Sequence, residues 1–166
     1  MQDLSPVEWA VRPFKKFAVF SGRAPRAEYW WFYLGTVIVQ IPLTIIDKMI
    51  GGFGDFSLFS SLFSLATLIP WLAVTVRRLH DTERSGWWLL LLVAAFAFIG
   101  IMLAIGVATP GLGSTGATFT GMIIAILLIL VASITFLVFM VLPGTDGPNS
   151  YGPDPYGPDQ LEEVFA

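Results

Sequence analysis

The chain has 166 residues, of which 55% are apolar and only 13% charged; a soluble domain carries about 45–50% and about 25%. So little charge cannot dress a water-facing surface, which excludes an ordinary cytosolic enzyme, a disordered regulator and a nucleic-acid binder with a broad basic face. Cysteine is absent and histidine occurs once, which removes disulfides, thiolate chemistry and a multi-histidine metal centre within one chain.

In chain order, the first element is a short amphipathic segment. Ser5-Pro6-Val7-Glu8 has the capping-box pattern with proline at the first helical position. Trp9, Phe14, Phe17 and Phe20 give it an apolar side, and Arg12, Lys15 and Lys16 a basic one. Such a segment is expected to lie in the membrane interface as an anchor, with a break or kink at Pro13. Four apolar stretches follow, at residues 30–46, 56–76, 87–108 and 119–142. Each approaches the roughly 20 residues that cross a hydrocarbon core. In lipid the backbone must satisfy its own hydrogen bonds, so all four are read as helices.

Charge sets the orientation. With four spans, the N-terminus, the 77–86 loop and the C-terminus share one side. That side holds every Lys and Arg except Lys48: Arg12, Lys15, Lys16, Arg23, Arg26, Arg77, Arg78 and Arg84. The other side has Lys48, a turn with Gly51, Gly52 and Gly54, and the uncharged loop 109–118. The excess of positive charge predicts both termini in the cytoplasm. Tyr29-Trp30-Trp31 and Trp87-Trp88 open the first and third spans, as headgroup-level aromatics do.

The span interiors hold no central ionisable residue, which argues against a proton-coupled carrier. Gln40 is expected to bridge helices. The Ser57, Ser60, Ser61, Ser64 and Thr67 stripe and the Ala94, Ala97, Gly100 and Ala104 stripe are expected to pack against neighbouring helices. Pro42 and Pro70 are candidate kinks.

Three polar segments exceed what orientation requires: GRAPRAEYWWF from Gly22, RRLHDTERSGWW from Arg77 and GTDGPNSYGPDP from Gly144. These resemble the three signature segments of the bacterial family catalogued as domain of unknown function 805, over roughly residues 14–155. The chain departs from that pattern at Glu83, where the family usually has glycine, and at Ser150, where a basic or bulky residue is common. The resemblance implies a small multi-pass protein of the bacterial inner membrane and implies no activity.

From their chemistry, the candidate cytoplasmic anion or partner site comprises Arg23, Arg26, Glu28, Arg77, Arg78, His80, Asp81, Arg84, Asp146, Asn149 and Tyr151. Arginine pairs with carboxylates and phosphates in planar contacts. These residues therefore form either a lattice of ion pairs tying helix ends together or a cradle for a headgroup phosphate. His80 beside Asp81 could also act as a base toward Ser21 or Ser85, but no elbow or phosphate-loop motif supports it. One imidazole with Asp81 and Glu83 makes a poor zinc site.

The sequence thus predicts an all-α membrane protein with four transmembrane helices. Residues 1–155 form one four-span domain with a cytoplasmic N-terminal segment, and residues 156–166 an acidic tail. The first reading is a non-enzymatic protein whose cytoplasmic face binds a partner or an anionic lipid headgroup. The alternative is a small transporter or channel subunit acting as an oligomer, and the third a membrane enzyme on a phosphorylated lipid. The partners implied are membrane lipids, a second copy or another membrane protein. No catalytic residue, metal, cofactor or nucleic acid is implied.

Overall fold

The structure, a computed structural model, describes residues 4–50, 57–108 and 116–157. Five α-helices and no strand occur among the described residues: α1 Pro6–Lys15, α2 Arg26–Ile50, α3 Leu58–Asp81, α4 Leu89–Ala108 and α5 Gly116–Val141. A 3₁₀ turn, Gly86–Trp88, leads into α4. Four stretches are long and apolar enough to span a bilayer: Arg26–Ile50, Leu58–Asp81, Gly86–Ile105 and Thr120–Val141. The turn at Gly51, Gly52 and Gly54, residues 109–115 of the outer loop and the acidic tail from residue 158 lie outside the described residues.

The chain divides into two compact units, Met1–Arg84 with Pro143–Ala166, and Ser85–Leu142. In the first, α2 and α3 pack against each other and α1 packs on both, chiefly on α2. The capping box of α1 forms in full. Ser5 N donates to the Glu8 carboxylate at 2.7 Å, and Glu8 N donates back to Ser5 Oγ at 3.3 Å. Ser5 Oγ also donates to the Glu8 carboxylate at 2.7 Å, and this bond, then that from Ser5 N, holds the Glu8 carboxyl below its ordinary pKa. The expected break at Pro13 does not occur: α1 runs through it, with Pro13 buried. Proline there forfeits only the bond to the Trp9 carbonyl, two residues before the helix ends. Phe14 meets Phe32 edge to face at 5.3 Å, and a Cβ at Gly35 would sit 3.4 Å from that of Ala10.

Helix α2 begins at Arg26 and α3 persists to Asp81, so both spans extend into the charged motifs beyond the apolar stretches. Pro42 and Pro70 lie inside continuous helices, which the membrane setting tolerates. At the other end, Asp47 is 4% exposed. It accepts from Phe59 N, Ser60 N and Ser60 Oγ at 2.9, 2.9 and 2.7 Å. Ser57, the N-cap of α3, makes no side-chain cap bond. Asp47 therefore caps α3 from across the turn, satisfying orphan amides and placing negative charge at the helix's positive end.

The second unit is the α4–α5 pair. Its buried small residues are Ala95, Ala125 and Ala132. Ala94, Ala97, Gly100 and Ala104 are exposed instead, and a Cβ built on Gly100 meets nothing within 4 Å. The expected small-residue interface on this helix thus lies on a different face. Gly121 provides a close approach, 3.1 Å from the Met102 sulfur to a built Cβ, and Trp88 meets Phe139 edge to face at 5.2 Å.

Candidate functional site

The site grows from the way α3 ends. Thr82 is its C-cap, and Glu83 turns the chain at φ 59°, the one non-glycine positive φ among the described residues. Glu83 N donates to His80 O at 3.0 Å and Arg84 N to Leu79 O at 2.9 Å. These are the paired closing bonds of a Schellman motif, whose left-handed position normally holds glycine. Other last-turn carbonyls find partners on the two remaining motifs. Arg77 O accepts from Ala24 N at 3.0 Å, and Asp81 O from Thr145 N at 2.9 Å. His80 O accepts from Asn149 Nδ2 at 2.9 Å. Segments far apart in sequence thus cap one helix end.

The Asp81 carboxylate is the hub. One oxygen accepts from Arg23 Nε at 3.0 Å, and the other is ion-paired with Arg78 Nη1. Arg23 spends its other two nitrogens on the carbonyls of Gly147 and Thr145, each at 2.5 Å. Thr145 follows Gly144, where any Cβ would overlap the Asp81 carboxylate, so only glycine lets the strand of chain pass this close. His80 stacks flat on Tyr151, ring centroids 4.0 Å apart, and its Nδ1 faces Gly22 O at 3.1 Å. Asp81 therefore faces arginines and not the imidazole, so the two adjacent residues do not form an acid–base dyad. No three His, Cys, Asp or Glu side chains converge as a metal site among the described residues.

Not every residue picked from the sequence joins this hub. Glu28 and Arg77 form a separate buried pair, Oε1 to Nη1 2.7 Å, with Arg12 Nε 3.6 Å from the other carboxylate oxygen. Arg77 is 1% exposed, and its Nε and Nη2 have no hydrogen-bond partner. Arg84 Nη1 donates to Thr82 O within its own turn at 3.0 Å. Arg26 and Asp146 instead line a cavity of about 300 Å³ beside the hub, with Arg23, Asp81, Thr145, Asp154 and Tyr156. Asp154 accepts from Gly147 N at 3.1 Å and from Tyr156 N at 2.9 Å. Partial desolvation, then the Asp81 charge, raise the Tyr156 phenol above its ordinary pKa and keep it protonated.

Sequence reasoning left out Arg12 as a partner of Glu28, and Thr145, Gly147 and Tyr156 as parts of the hub and cavity. Thr145, Gly147 and Asp154 lie inside the third motif, and Tyr156 lies just beyond it.

Comparison with known proteins places this geometry in a lineage. The family model described as Protein of unknown function (DUF805) matches residues 17–153. Inner membrane protein YhaH of Escherichia coli K12 is 38% identical over 109 residues, covering 63% of this chain and 90% of that protein. Inner membrane protein YhaI of the same strain is 42% identical over 90 residues, covering 54% and 75%. Uncharacterized protein YiiR is 32% identical over 82 residues, covering 48% and 53%. No solved structure matches the chain.

Proposed function

The chain belongs to the DUF805 family as a multi-pass protein of the bacterial inner membrane, and on that premise we propose that it is a non-enzymatic protein whose cytoplasmic face binds a lipid headgroup. The observation that carries this reading is the convergence of three motifs on one cavity at span ends. Arg26 is the first residue of one span and Asp81 the last of another. Pro143 lies two residues beyond the end of the α5 span. Such positions lie at headgroup depth, and Tyr29, Trp30 and Trp31 one turn along α2 match an interfacial belt. The basic residues of that end favour the cytoplasmic leaflet, whose anionic surface attracts them.

Two measurements test the reading. The chain has no cysteine, so cysteines placed singly at Asp3, Gly113 and Ala166 can be labelled without background. An impermeant thiol reagent on spheroplasts should reach Gly113→Cys alone; labelling of both termini would overturn the cytoplasmic assignment. Phospholipid added to purified protein should raise its thermal stability. Arg26→Gln should lose part of that gain, and Lys48→Gln, at the opposite end of α2, should retain it. Wild-type protein indifferent to every phospholipid would overturn the headgroup reading.

One observation favours a second reading, a small transporter or channel subunit acting as an oligomer. A groove of about 380 Å³ along α2 and α3 is lined by Thr36, Gln40, Ser64 and Thr67 among apolar side chains. Gln40 Nε2 donates to Ser60 O at 3.4 Å, a long bond that leaves amide capacity in the hydrocarbon. Solute flux in vesicles that is abolished by Gln40→Leu would support this reading over the first.

A further inference from the structure

Independently of the headgroup reading, we infer that Arg77 is the seat of a small carboxylate, held side-on by Nε and Nη2. Arg77 lies one turn before the end of α3, and its side chain is 1% exposed. Nη1 donates to Glu28 Oε1 at 2.7 Å. Nε and Nη2 are buried and, among the described residues, meet no acceptor. A guanidinium is planar and trigonal, so its Nε–Nη2 edge faces directly away from Nη1, and with it from Glu28. That edge carries two parallel N–H groups, the fork that receives both oxygens of one oxyanion. Buried donors are nearly always satisfied, and those of a charged group are the costliest to strand.

Charge points the same way. Glu28 is shared, its Oε2 lying 3.6 Å from Arg12 Nε on α1. Two arginines thus stand against one carboxylate, in a cluster whose Glu28 and Arg77 side chains are each 1% exposed. The surplus is a single positive charge. One monoanion cancels it, a water molecule does not, and a dianion overshoots it. Shape narrows the class further. A carboxylate is flat with a single substituent, so it lies in the plane of the fork with one oxygen on each N–H. A phosphodiester is tetrahedral, and its two ester arms leave that plane into the side chains that cover the edge. A halide offers one centre where the fork presents two donors. Arg77 and Glu28 both lie near the ends of their spans, close to the membrane surface. Two sources supply a carboxylate at that depth: a soluble monocarboxylate, and a fatty acid whose chain stays in the bilayer.

Purified full-length protein in detergent is titrated at constant ionic strength with acetate, oleate and chloride, and binding is read by thermal shift and by saturation-transfer NMR of the ligand. Acetate should stabilise wild type saturably and bind about tenfold more tightly than chloride, the order that one charge-assisted hydrogen bond contributes. Arg77→Lys keeps a cation for Glu28 but has no fork, and should bind acetate no more tightly than chloride. The double variant Glu28→Gln, Arg77→Met removes both buried charges together, so it should fold, and it should lose the acetate response. Oleate binding more tightly than acetate, through a response that the double variant loses, would uphold the carboxylate and place its source in the membrane. Acetate binding as tightly as oleate would uphold it and place its source in the aqueous phase. Chloride binding as tightly as acetate to wild type would overturn the carboxylate, and an acetate response that survives in the double variant would overturn Arg77 as its seat. Wild type indifferent to all three ligands would overturn the inference whatever phospholipid does in the same assay, because the headgroup reading rests on a different cavity.

Discussion

Replacing Glu83 with glycine should stabilise the protein. Glu83 closes α3 at φ 59°, in the left-handed region where a Cβ crowds the backbone and costs about 1–2 kcal/mol. Its side chain is exposed, so its removal sacrifices no packing. Glycine removes the strain but adds about 0.5–1 kcal/mol of unfolded-chain entropy. The net gain then lies within about 0–1.5 kcal/mol, and its midpoint of about 0.75 kcal/mol corresponds to about 2–3 °C in melting temperature for a chain of this size. Glu83→Ala is the control, because it removes the same charge and side chain while keeping the strained Cβ; it should stay within about 0.5 kcal/mol of wild type. Thermal unfolding in detergent, followed by tryptophan fluorescence, measures both. If the alanine variant gains as much as the glycine variant, the effect is one of charge or surface and the backbone argument is wrong. If the glycine variant loses stability, the Schellman geometry assigned to this turn is wrong.

Gly144→Ala should cost about 1–3 kcal/mol by overpacking, since the new methyl would overlap the Asp81 carboxylate; the melting temperature in detergent checks it. Asp47→Ala strands the Phe59 and Ser60 amides and the Ser60 hydroxyl and should cost about 1–3 kcal/mol, with Asp47→Asn, which keeps an acceptor, losing visibly less in the same assay. Glu28→Gln should cost about 3–5 kcal/mol by leaving the buried Arg77 charge uncompensated, and the double variant Glu28→Gln, Arg77→Met should recover much of it, as a double-mutant cycle of unfolding would show. Gly100→Leu should cost no stability, because its position on α4 is open and a helix-interior glycine is replaced by a better helix former; a loss comparable to that of Gly144→Ala would refute the packing face described for that helix.

The sequence alone determined four stretches long and apolar enough to span a bilayer, the α1 capping box and the three polar motifs. Each of these rests on local quantities: the length of an apolar run, the spacing of a capping pair, the residue pattern of a short segment. It also marked Glu83 as a departure, and the backbone there explains why glycine suits the position. Tertiary structure alone decided how the charges combine. Composition says that arginines can pair with aspartates and glutamates but does not select among them. Arg77 and Arg78 are neighbours in sequence, yet successive side chains on a helix point about 100° apart. Arg77 therefore meets Glu28 of α2, while Arg78 turns to Asp81. Arg23 reaches Asp81 across 58 residues and Thr145 across 122, distances over which no local pattern carries information. The same holds for Asp47, an apparently water-facing acid at a span end that is buried as the cap of another helix. Small residues on α4 were legible as a stripe, but which stripe is covered depends on the rotation of α4 about its own axis. In a uniformly apolar helix no polar face fixes that rotation from sequence, and only packing sets it.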